Sequence, residues 1–100
     1  MIVYLSGKIT GDEKYKEKFK AAEQRLTDAG YTVINPALLP SDMPIEKYMP
    51  ICLAMLEQAD AVYMLEDWKT SKGAILERKY AIYQDIEVWY QSWEADYDKL

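Results

Sequence analysis

The sequence predicts an α/β fold: a small doubly wound, flavodoxin- or Rossmann-like parallel sheet of about four strands in the order 2-1-3-4, flanked by helices. Three observations carry this prediction. Short apolar, β-prone runs at residues 2–5, 31–34 and 61–65 alternate with segments of helical period. The stretches between them suit helical crossovers, which join parallel strands with a right-handed turn. No run approaches the length of a membrane span, and half of the 100 residues are apolar, so one soluble core is expected.

In chain order, residues 2–5 read as a strand covered on both faces. Ser6-Gly7-Lys8-Ile9-Thr10-Gly11 follows as a loop with two glycines and two hydroxyls. Its spacing is neither that of a P-loop nor that of the dinucleotide fingerprint, so it serves equally as a β–α turn or as backbone approaching a ligand. Between residues 12 and 29, Tyr15, Phe19, Ala22, Leu26 and Ala29 recur at helical steps and make one apolar stripe. Asp12 and Glu13 suit the positive end of that helix, and Gly30 its left-handed stop. The second strand, 31–34, is closed by Asn35-Pro36.

Pro44 is expected to open a helical turn, with a break near Pro50, after which residues 51–58 form an apolar helix. Asp60 caps the entry to the third strand, 61–65. Residues 66–70 lead to a helix from Ser71 to Gln84, with Ser71 as N-cap. A fourth, more polar strand at 86–90 fits the sheet edge. The domain therefore spans 1–90, and 91–100 is an acidic aromatic tail.

Composition excludes several kinds of chemistry. The single cysteine, Cys52, rules out an internal disulfide, and with no histidine a conventional zinc site is not expected, so no metal is predicted. A net charge of −5 argues against a nucleic-acid polymer as partner. The amino-terminal segment reads as a strand and not as a signal peptide, which predicts a cytoplasmic protein.

In the order 2-1-3-4 the switch point lies between strands 1 and 3, beside the residue 6–11 loop and the 66–77 segment. There Ser71 begins a helix whose unpaired amides suit an anion. Glu77, four residues after Gly73, shares a helix face with it, flanked by Ala74, Tyr80 and Ala81. That face can approach a sheet closely. The alternative for Glu77 is an exposed helical side chain.

Three separated pieces, Ser6 to Gly11, Asn35-Pro36, and residues 59–65 running into Ser71-Lys72-Gly73-Ala74-Ile75-Leu76-Glu77, resemble small members of the nucleoside 2-deoxyribosyltransferase-like family. The likeness covers residues 1 to about 90. It implies that Glu77 is the nucleophile towards the anomeric carbon of a nucleoside or nucleotide. A Ser at the position of Ser71 is similar to the branch that hydrolyses deoxynucleoside monophosphates, where it helps to hold phosphate. By the same likeness, Ser6, Gly7, Lys8, Ile9, Asn35, Asp60, Trp68, Ser71 and Gly73 are the expected substrate-binding residues. Lys72 is a further candidate for the phosphate, and Tyr4 for the base. Where many catalytic relatives carry an Asp on the side of the leaving base, this chain has Cys52; Asp67 is a candidate for a second carboxylate.

The implied activity, nucleoside deoxyribosyltransferase or deoxynucleotide N-glycosidase, needs no cofactor. Its alternatives are a silent nucleotide-binding module and a structural oligomer with a vestigial pocket. A homo-oligomer, dimer or tetramer, is expected because the last helix is apolar on more than one side, with Ile75 and Ile82 facing away from Ala74 and Ala81.

Overall fold

The computed structural model describes residues 1–93. Its sheet is all parallel, in the order β2-β1-β3-β4, from β1 (Ile2–Ser6), β2 (Thr32–Ile34), β3 (Ala61–Met64) and β4 (Glu87–Tyr90). The helices between them are α1 (Tyr15–Asp28), α2 (Ile45–Glu57) and α3 (Lys72–Tyr83), with single 3-10 turns at Pro36–Leu38 and Trp68–Thr70. Residues 91–93 are helical, and the rest of the expected tail, 94–100, lies outside the described residues.

Side chains alternate between sheet faces, so each strand feeds two cores. Val3 and Leu5 of β1, with Tyr63 and Leu65, pack on Phe19, Ala22 and Leu26 of α1. Burying a Phe or Leu stabilises by roughly 1.5–3 kcal/mol, which is why this stripe holds α1 to the sheet. A single helix leaves part of that face open. Tyr31 and Trp89 close over it, their rings edge to face at 5.3 Å. On the other face, Tyr4, Val62 and Met64 pack on Cys52 and Leu56 of α2 and on Ala74 and Ala81 of α3. The alanines let α3 lie close to the strands.

Two local expectations hold for clear reasons. Gly30 takes φ +97° just after α1, a conformation that costs glycine little. Ser71 caps α3 by accepting the Ala74 amide on its Oγ at 3.2 Å. One expectation fails: the helix does not break at Pro50. α2 runs through it from a start at Pro44, whose carbonyl takes the amides of Lys47 and Tyr48, each at 3.0 Å. Pro50 is exposed, so the bond its missing N–H forfeits is lost on the solvent side, where water can take up the freed carbonyl. α1 also begins later than expected, at Tyr15, because Asp12 is used outside the helix, where its carboxylate accepts the Lys14 amide at 2.9 Å.

Candidate functional site

β1 ends in Ser6, and α3 begins at Lys72 on the face towards which Tyr4 and Ser6 point. Those two side chains stand two residues apart on one strand and so share a face. Both meet Glu77. The Ser6 hydroxyl donates to Glu77 Oε1 at 2.8 Å, and the Tyr4 hydroxyl donates to Oε2 in a short hydrogen bond. Glu77 is 6% exposed, with Ala74 and Ala81 buried on the same helix face.

Burial is the dominant influence on this carboxyl and raises its pKa from 4.5 to about 7, against the lowering effect of the two hydroxyl donors. Neither donor carries a positive charge, so the carboxylate is oriented without being neutralised. Burial together with the negative charge of Glu77 in turn pushes the Tyr4 phenol well above its ordinary value.

Above Glu77 opens a cavity of about 480 Å³. The loop after β1 contributes Gly7, Ile9 and Thr10, and the start of α3 contributes Ser71, Lys72, Gly73 and Ala74. Across from them stand Met43, Ile45, Tyr48, Met49 and Cys52, from α2 and the residues before it. Tyr15 and Phe19 of α1 also reach the cavity. It lies at the carboxyl ends of β1 and β3, the topological switch point of the sheet.

The two glycines at this site differ in kind. A Cβ on Gly7 would fall 2.9 Å from Leu65 Cβ, so packing of β1 against the exit of β3 demands glycine there. A Cβ on Gly73 would meet nothing nearer than Met49 Sδ at 3.4 Å. Packing tolerates a side chain at Gly73, and its absence widens the cavity beside the first-turn amides of α3.

A family model described as "Domain of unknown function (DUF4406)" matches residues 1–90. The chain belongs to this family. No curated protein matches it, and no solved structure does. The matched span of the DUF4406 family ends with β4 and so includes every described residue of the cavity.

Of the residues expected at the site, Ser6 reaches Glu77, while Gly7, Ile9, Ser71 and Gly73 line the cavity, together with Lys72 and Cys52. Four others are placed elsewhere. Asp60 sits at the amino end of β3, the opposite end of the sheet, where its Oδ2 accepts the Ile2 amide at 2.7 Å. Asn35 caps the 3-10 turn that follows β2, accepting the Ala37 amide at 2.9 Å, and its Nδ2 donates to Glu23 at 3.2 Å. Trp68 stacks under Arg78, whose guanidinium lies 5.1 Å from the ring and donates to the Tyr90 hydroxyl at 2.6 Å. Lys8 does not line the cavity; its amide donates to Asp67 Oδ1 at 3.0 Å.

Asp67 is likewise no second carboxylate of the cavity. It binds Lys18, which also pairs with Asp12, so the three join the loops after β1 and β3 to α1. The wall of Met43, Ile45, Tyr48 and Met49, from α2 and the residues before it, was not legible as site in the sequence. The break expected at Pro50 detached this segment from the helix that carries Cys52, and an apolar stripe reads first as core.

Proposed function

We propose that this protein cleaves or transfers the N-glycosidic bond of a (deoxy)nucleoside 5′-monophosphate through a covalent glycosyl–Glu77 intermediate. The observation that carries the reading is the buried Glu77 carboxylate, aimed by the hydroxyls of Tyr4 and Ser6 at a cavity whose mouth is the start of α3. The first-turn amides of α3, the Ser71 hydroxyl and the Lys72 ammonium form a cradle for a 5′-phosphate. Glu77 lies four residues beyond Gly73, roughly 6 Å along the helix axis. That span is comparable with the reach from a 5′-phosphate across a furanose to its anomeric carbon.

In this reading one oxygen of Glu77 attacks C1′ as the C1′–N bond breaks, and water or a second base then displaces the carboxylate. Only the ionised carboxylate attacks. Base release should therefore rise as pH passes through about 7 and level off above it. Incubation with a panel of deoxynucleoside monophosphates, read by chromatography of the free base, tests the function. Glu77→Ala should lower release by about a thousandfold or more while the variant stays folded, since Ala suits a helix interior. Wild-type turnover by that variant would remove Glu77 from the reaction. Nucleotide binding without turnover by the wild-type protein would favour a silent binding module instead.

The reading includes a homo-oligomer, a dimer or tetramer. On the side of α3 turned from the sheet, Ile82 is 51% exposed as expected, whereas Ile75 is half-buried and the second exposed apolar residue is Leu76, at 46%. A symmetric pairing of that side would cover both copies at once. Light scattering at micromolar concentration should give a mass above one chain, and a monomer there would reject the pairing.

A further inference from the structure

Retaining cleavage of a glycosidic bond ordinarily uses two carboxyl groups, one to attack carbon and one to protonate the departing atom. Among the described residues lining this cavity, Glu77 is the lone carboxylate, and the chain has no histidine. The nearby Asp67 is engaged by Lys18 and by the Lys8 amide.

Beyond Glu77, the described residues in and beside the cavity offer phenols, aliphatic hydroxyls, the Lys72 ammonium and the Cys52 thiol, none of them as strong an acid as a carboxyl. The Tyr4 hydroxyl donates to Glu77, and the Tyr48 hydroxyl donates to the Pro36 carbonyl at 2.8 Å. Burial pushes the Cys52 thiol up to about 11, so it holds its proton. A neutral base leaving here would develop negative charge against Met43, Ile45 and Met49, side chains that cannot stabilise it.

We propose that the cavity selects nucleotides whose base is already cationic, such as pyridinium or N7-alkylpurinium nucleoside 5′-monophosphates, because its described walls offer a nucleophile but no second carboxyl and no imidazole to protonate the leaving base. This rests on the function proposed above. For such a substrate the C1′–N bond breaks with its electron pair passing to the ring nitrogen, which cancels the positive charge. The base leaves neutral, as an apolar wall prefers.

Before the reaction, the cationic ring is attracted by the Glu77 carboxylate and by the aromatic faces of Tyr15 and Tyr48. Among the described residues, the one cation in the lining, Lys72, stands at the start of α3, on the phosphate side. Water then attacks C1′ of the glycosyl ester and restores Glu77. In sum, cationic nucleotide and water give sugar 5′-phosphate, neutral base and one proton.

The test uses the whole protein with nicotinamide mononucleotide and 7-methylguanosine 5′-monophosphate against GMP and dCMP. Each rate is divided by that nucleotide's uncatalysed rate, so that intrinsic lability cancels. The acceleration should be at least about tenfold greater for the cationic pair, within the usual contribution of an acid or base group. Equal acceleration of both pairs would overturn the selectivity and leave the proposed function standing; release from none of the four would overturn both. Cys52→Asp supplies a carboxyl group at the acid-free wall and should narrow the ratio by raising release from GMP and dCMP. An unchanged ratio in a folded Cys52→Asp protein would also overturn the proposal.

Discussion

Two carboxylates stand at the same end of this sheet, and their surroundings make them different chemical objects. Asp67 is partly exposed and meets a cation, Lys18, that Asp12 shares. Glu77 is buried and, among the described residues, hydrogen-bonds to neutral hydroxyls, those of Tyr4 and Ser6. A carboxylate paired with an ammonium has its charge compensated and serves as a clasp between loops. One held by hydroxyls under an apolar roof keeps its charge available, at the cost of a raised pKa and a less stable ionised fold. Orientation and neutralisation of a carboxylate are thus separable: Glu77 has the first without the second.

The largest expected effect tests the cost of that arrangement. The folded pKa of Glu77, about 7, stands above its ordinary 4.5. A raised carboxyl contributes stability fully below the unfolded value and loses it as pH rises through the folded one. Glu77→Gln stays neutral throughout, so it should exceed the wild type by up to about 3 kcal/mol at pH 8, with the difference vanishing near pH 4. Urea unfolding at the two pH values measures this. A variant no more stable at pH 8 than at pH 4, relative to wild type, would show that burial is not what governs Glu77.

A smaller effect separates the two hydroxyl donors from burial. The Tyr4 hydrogen bond lowers the Glu77 pKa, so Tyr4→Phe leaves burial less opposed and moves the rise of base release to higher pH than in the wild type. At pH 7 this should cost about tenfold in rate, recovered in part at pH 9. A pH profile unchanged by Tyr4→Phe would mean that its hydroxyl does not tune the carboxylate.

The smallest effect belongs to the clasp. Asp67→Asn removes one of the two partners of Lys18, whose side chain is 37% exposed, and leaves Asp12 in place. Screening by water and salt limits the loss to about 1 kcal/mol or less, fading further at 1 M salt. A loss of several kcal/mol, insensitive to salt, would show that Asp67 acts as a buried charge and would erase the contrast with Glu77.

Much of the frame could be read from the chain because it depends on neighbours in sequence. The stripe through Phe19, Ala22 and Leu26, the Ser71 cap and the Gly30 stop each involve residues within a turn or two of one another. The strand order followed from the alternation of elements and the handedness of crossovers. The shared face of Tyr4 and Ser6 was also present as a period of two, and so was that of Gly73, Ala74 and Glu77 as a helical period.

Which of these faces would meet was a different matter. Tyr4 and Glu77 are separated by 73 residues, Lys18 and Asp67 by 49, and only the pairing of β1 with β3 brings each pair together. The same holds in reverse for Asp60 and Trp68, whose side chains are taken up at the amino end of the sheet and under Arg78, away from the cavity. The continuity of α2 through Pro50 was likewise decided by solvent exposure, which local sequence does not specify. Short-range patterns are set by backbone geometry, which the residues carry with them. Contacts between distant residues are set by how the layers pack, and that depends on the whole chain at once.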